Sequence, residues 1–229
     1  FQPQVSLLTG DLVAVEALLR WHHPVRGVVN AAEFFEVVED SDMVATVGRW
    51  VMEQSCHALA TWPGGSPPRM AVNISPRHFS LPGFGDAVRT VVAESGIDPT
   101  LLELEVTESA ILVDEASTQV LRDLHDAGIR LAVDDFGTGY SSLRHLKMFP
   151  ASTVKIDRTF VSGLGRDPVD DAIVRAVLGV AASLGLTTVG EGVETRDQHD
   201  LLLALGCELG QGYLYDHALP LDELRARYR

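Results

Sequence analysis

The chain of 229 residues is 46% hydrophobic and 22% charged, which suits a packed core and excludes disordered and fibrous classes. Acidic residues outnumber basic ones 32 to 18, a net charge of -14, which argues against partners such as duplex DNA or RNA that need a basic face. A small phosphate ligand stays compatible with that charge if metal ions sit between carboxylates and phosphate.

Cys56 and Cys207 have no metal-type or redox spacing and read as core thiols of a reducing, cytoplasmic setting. No apolar run reaches the length needed to cross a bilayer, and the first residues lack the basic start and apolar stretch expected of a signal peptide. A first residue Phe1 rather than Met is expected of a piece of a longer protein.

In chain order, strands are expected over residues 1–7, 12–19, 69–73, 101–106, 129–134, 153–157, 187–190 and 209–214. Helices are expected between most of them: one opened by Asn30 with Glu33 three residues on, then 44–60, 87–95, 115–127, 168–184 and 195–205. Gly128, Gly185 and Gly206 end three of these. This alternation of strand and helix favours one α/β domain over 1–229, a barrel rather than an open sheet.

Several strands carry charge on one face, which is unusual where helices cover the outside. Glu16, Leu18 and Arg20 share a face in 12–19, Glu103 and Glu105 oppose Leu102, Leu104 and Val106, and Lys155 and Asp157 oppose Val154 and Ile156. Asn73, Asp134 and Glu191 fall at or just after strand C-terminal ends, which a barrel gathers at one mouth. There Glu16, Glu105, Asp134, Asp135 and Glu191 would face only Arg20 and Lys155, a crowding that calls for protons or metal ions. Any one of these acids taken alone is more often a salt-bridge partner; their joint placement reverses that preference. The donors are oxygens and no zinc-type pattern occurs, so a hard ion, Mg2+ or Mn2+, is favoured. His22 and His23, beside Pro24, read as a surface turn.

Glu16-Ala17-Leu18-Leu19-Arg20 is the signature of the EAL domain family of cyclic di-GMP phosphodiesterases, which this chain resembles over essentially its whole length. Asn73-Ile74-Ser75, Glu105-Val106-Thr107-Glu108, Asp134-Asp135-Phe136-Gly137-Thr138-Gly139-Tyr140-Ser141-Ser142-Leu143, Lys155-Ile156-Asp157-Arg158, Glu191-Gly192-Val193-Glu194 and Gln211-Gly212-Tyr213 follow in the family's order.

The resemblance implies a modified TIM (β/α)8 barrel whose first strand is antiparallel, and hydrolysis of cyclic di-GMP to linear pGpG. Glu16, Asn73, Glu105 and Asp134 resemble ligands of one Mg2+ or Mn2+, and Asp134, Asp135 and Glu191 those of a second. Lys155 would orient or help activate the attacking water, with Asp157 supporting it. Arg20, with Leu18 and Gln211 beside it, resembles a substrate contact. Residues 135–142 correspond to a mobile loop, Glu108 to its anchor, and Glu194 to a supporting acid. The resemblance also implies a homodimer and a sensory or GGDEF domain elsewhere in the protein. It departs from the family in lacking the helix before the first strand and in having Ala218 where proline is common. The rival from another class is a receptor that binds cyclic di-GMP without cutting it, but degenerate receptors lose ligands or loop and this sequence keeps both.

Overall fold

The segment Leu-Glu-Leu-Glu-Val-Thr of β6 (Leu102–Thr107) cannot lie against helices on both faces, because its alternate positions are carboxylates. The chain resolves this by curling the sheet so that the acidic face is enclosed and the aliphatic face meets helices. The computed structural model describes residues 1–108, 110, 115–138, 146 and 148–228.

The sheet comprises β1 (Gln2–Ser6), β2 (Leu12–Ala17), β5 (Arg69–Asn73), β6, β7 (Arg130–Phe136), β8 (Thr153–Ile156), β9 (Thr187–Gly190) and β10 (Leu209–Gly210). It closes as a barrel in the order β1-β10-β9-β8-β7-β6-β5-β2. Strand β1 is antiparallel to both neighbours, and the other pairs are parallel. The expected barrel with its first strand reversed is therefore the fold. A separate hairpin, β3 (Arg20–His23) and β4 (Gly27–Asn30), follows β2.

Outward residues Met70, Val72, Leu102, Leu104, Val106, Leu131, Val133, Val154 and Ile156 join one buried cluster with helix residues such as Met52, Leu59, Val88, Leu121, Val174 and Leu178. These come from α2 (Met43–Ala60), α4 (Phe84–Ser95), α5 (Glu115–Asp126) and α7 (Pro168–Leu184), while α1 (Phe35–Glu39) and α3 (Pro76–Phe79) are short. Asp167 caps α7 by accepting from the Val169 N–H at 2.8 Å, and Gly185, at φ 69°, ends it. After β8 come α6 (Arg158–Gly163), then α7, and later α8 (Arg196–Ala204) and α9 (Leu221–Arg227). Among the described residues no helix is long and apolar enough to cross a membrane.

Four expectations need correction. The strand over 12–19 stops at Ala17, so Leu18 and Arg20 do not continue the face of Glu16. His22 and His23 lie on β3 rather than in a turn, with His23 Nδ1 accepting the Val25 and Arg26 N–H groups of the turn at 3.1 Å each. The helix opened at Asn30 is a single 3-10 turn, Ala31–Glu33, before α1. The last strand is only Leu209–Gly210, because residues 212–215 turn back toward Val193.

Candidate active site

The inward face of the barrel mixes alanines with the buried polar residues Gln4, Glu103 and Thr153 below and is crowded with charge above. Ala14, Ala71 and Ala132 are fully buried, and the larger inward residues one step on, Glu16, Asn73 and Asp134, reach the end where the parallel strands finish. Lys155, only 1% exposed, stands at the centre of that end. Its Nζ lies 2.7 Å from Glu191, 2.8 Å from Glu105, 3.2 Å from Asp134 and 3.9 Å from Glu16.

Four carboxylates around one ammonium leave a surplus of negative charge in a buried place. Burial would lower the Lys155 pKa, but Glu105, Glu16, Glu191 and Asp134 outweigh it and hold the ammonium well above its ordinary value. Burial, with Glu16 and Asp134 adding to it, pushes the Glu105 carboxyl well up against the pull of Lys155. The Glu191 carboxyl is raised likewise, by burial first and then by Asp134 and Glu16. Glu16 goes the other way: burial raises it, yet Lys155 and hydrogen bonds from Gln211 and Asn73 together leave it below the usual carboxylate value. Asn73 Nδ2 donates to Glu16 Oε1 at 2.6 Å and Gln211 Nε2 to Glu16 Oε2 at 2.5 Å, so both oxygens of this carboxylate are held.

The two adjacent aspartates reach the mouth together because β7 is irregular there. Val133 pairs with Val154 and Phe136 with Ile156, so Asp134 and Asp135 together oppose the single residue Lys155. Asp135 is the only non-glycine with positive φ among the described residues, at 54°. A regular strand would turn one aspartate outward; here ligand atoms of Asp134, Asp135 and Glu191 lie within 4.8 Å of one another. Burial, then Asp134 and Asp157, push the Asp135 carboxyl up to about 6. This set of hard oxygen donors with surplus negative charge fits divalent cations such as Mg2+ or Mn2+.

Other candidates fall at differing distances from this centre. Glu108 is buried and its Oε2 accepts the Gly137 N–H at 2.9 Å, which ties the end of β6 to the segment after β7. Of the loop over 135–142, residues 139–142 lie outside the described residues. Asp157 does not share a strand face with Lys155, since β8 ends at Ile156. Instead it caps α6, accepting the Thr159 N–H at 2.9 Å and the Thr159 hydroxyl. Arg20 begins β3, its Nη1 donating to the Leu19 carbonyl at 2.9 Å, and among the described residues it makes no ion pair with the carboxylates. Leu18 is half-buried, and Glu194 is exposed, with its backbone N–H on Gln198. Gln2 and Gln4 of β1 were not singled out from the sequence; the alternation Gln2, Gln4, Ser6 against Pro3, Val5, Leu7 is the signal that marks an inward polar face.

A closed β/α barrel with a carboxylate-rich mouth around a buried lysine defines the class: a TIM-type barrel whose charged site lies where the parallel strands end. The chain belongs to the EAL domain family, whose model matches residues 1–218. It is 40% identical over 229 residues to the bifunctional diguanylate cyclase/cyclic di-GMP phosphodiesterase MucR of Pseudomonas aeruginosa, covering 99% of this chain and 33% of MucR. The solved PaMucR phosphodiesterase in complex with c-di-GMP superposes with a TM-score of 0.94 at 40% identity, covering 97% of this chain and 92% of that one. Klebsiella pneumoniae BlrP1, solved as a calcium/cyclic di-GMP complex, gives a TM-score of 0.81 at 29% identity, over 93% of this chain and 53% of BlrP1. The chain spans 27–33% of the length of the first curated relatives it matches.

Proposed function

We propose that this domain hydrolyses one phosphodiester bond of cyclic di-GMP to give linear pGpG, with two divalent cations, Mg2+ or Mn2+, at the barrel mouth. The observation that carries this reading is the Asp134, Asp135 and Glu191 cluster beside the Lys155-centred carboxylates. Likeness to a phosphodiesterase solved with the same dinucleotide supports the choice of substrate. Glu16, Asn73, Glu105 and Asp134 would hold one cation, and Asp134, Asp135 and Glu191 the second. Bound there, the cations supply neutralisation of the phosphodiester charge and acidification of a water.

The chain's own residues do the rest. Lys155 donates to the attacking water or a phosphate oxygen and fixes its direction. Arg20, with Leu18 beside it, meets the dinucleotide at the rim, and Gln211 borders the same site. Asp157 and Glu194 act from outside it. In the net reaction one water is consumed, its oxygen joins phosphorus, one P–O bond to a sugar oxygen breaks, and that oxygen takes the proton. The wider protein would be a cytoplasmic or membrane-tethered homodimer with a sensory or GGDEF domain.

The direct test is incubation of the purified chain with cyclic di-GMP and Mg2+ or Mn2+, followed by separation of the nucleotides. Hydrolysis is expected to vanish with a chelator and return on adding either ion. Turnover that survives rigorous metal removal would exclude the cation mechanism. Tight binding in Mg2+ without any pGpG would favour a receptor.

The bond from Gly137 to Glu108 leads to a second expectation. Glu108→Ala removes the acceptor that ties the segment carrying Asp135 to β6, so turnover should fall about 10- to 100-fold, the usual loss for a partner one step removed from a metal. Dinucleotide binding measured by calorimetry in Ca2+ should change little. Superimposable turnover curves against metal concentration for both proteins would refute an anchoring role.

A further inference from the structure

Around Glu16 lies a chain of carboxamides whose direction is set by an atom that can only accept. Gln2 Nε2 donates to the Asp216 backbone carbonyl at 3.3 Å, which turns Gln2 Oε1 toward Gln211, where it accepts from Gln211 Nε2 at 3.2 Å. The same Gln211 Nε2 donates to Glu16 Oε2 at 2.5 Å. Gln211 Oε1 then points away from Glu16 and accepts from Gln4 Nε2 at 2.9 Å. Every donor meets an acceptor in only one sense of the chain.

A carboxamide turned by half a rotation keeps its shape and exchanges donor for acceptor. Turned that way, Gln211 would set its oxygen against the Glu16 carboxylate in a buried place, acceptor against acceptor. Strand reversal explains why β1 can prevent this. Gln2 is the cross-strand partner of Glu16 at the mouth, while Gln4 pairs with Ala14 one layer deeper and is 2% exposed. Gln4 is thus beyond the layer where a cation or dinucleotide would lie, yet it touches Gln211, one of the two amides that hydrogen-bond Glu16.

We infer that Gln4 is a positioning residue: by donating to Gln211 Oε1 it holds the Gln211 N–H groups toward Glu16 and so fixes the orientation of that carboxylate toward a divalent cation. This rests on the reading of Glu16 as a cation ligand.

The test is a double-mutant cycle of Gln4→Met and Gln211→Met, read by Mn2+ binding in calorimetry, by kcat and KM for cyclic di-GMP, and by thermal melting. Gln4→Met, close to glutamine in size, is expected to weaken Mn2+ binding about 10-fold and to lower kcat with KM little changed. Because Gln4 acts through Gln211, the double variant should bind Mn2+ within about 2-fold of Gln211→Met alone. Unchanged Mn2+ affinity in Gln4→Met, whatever its melting temperature, overturns the proposal, and so do losses that multiply in the double variant. If Gln4→Met does not fold, Gln4→Asn, polar but one methylene short of Gln211, carries the same expectations. A wild type that binds Mn2+ and never cuts cyclic di-GMP would defeat the phosphodiesterase reading and leave this test standing. A wild type that binds no Mn2+ defeats the proposal.

Discussion

Glu16→Ala is expected to lower turnover of cyclic di-GMP by at least about 100-fold, since loss of a partner one step further from a metal already costs 10- to 100-fold. Removing this side chain takes one carboxylate from the cation set and leaves the donors of Asn73 and Gln211, now at 2.6 and 2.5 Å from it, without their acceptor. Affinity for the dinucleotide in Ca2+ should stay within a few-fold, because Arg20 and the rim are untouched and the cations act chiefly on the transition state. Single-turnover kinetics beside calorimetry separates the two effects. A folded variant with near-normal kcat would show that Glu16 is not a ligand.

Lys155→Met should do more damage to stability than any other substitution at the mouth. The ammonium is the only cation ion-paired to Glu16, Glu105, Asp134 and Glu191 among the described residues, and removing one partner of a buried pair costs about 3–5 kcal/mol. The sign with pH follows from the raised carboxyl of Glu105: folded, it binds a proton more readily than unfolded, so the penalty shrinks as the pH falls. Mn2+ should also restore part of the lost melting temperature by binding only the folded state. Turnover should fall by about 10²- to 10⁴-fold even where the variant is held folded by Mn2+, the usual range for a group positioned at a proton transfer. Melting curves with and without Mn2+ at two pH values test this; a Lys155→Met variant as stable as wild type in chelator at neutral pH would contradict it.

Much of the barrel is readable from patterns local to a few residues. The alternation in Leu102–Thr107 already demands an enclosed acidic face, and the Asp167-Pro168 start and Gly185 stop define α7 to the residue. The hairpin after β2 was hidden because Pro24 and the paired histidines look like a turn, and its strands are only four residues each. Period-two alternation carries the strand pattern through Asp157, whereas its side chain closes on Thr159 and begins a helix. In both places two local signals compete over the same residues, alternation or turn chemistry against a side-chain bond two or three residues on, and the folded chain shows which one holds.

The residue types at the mouth, their order along the chain and the resemblance to the EAL family were all present in the sequence alone. What the tertiary structure decided is how these groups meet. The bulge at Asp134 and Asp135 aims both at one mouth, the reversal of β1 brings Gln2 and Gln4 beside Gln211, and Arg20 bonds the Leu19 carbonyl and makes no ion pair with the carboxylates among the described residues. The physical reason is that ionic and hydrogen-bond geometry depends on distances of about 3 Å between strands far apart in sequence, such as Glu105 and Lys155. Alternation fixes only the face on which each side chain lies.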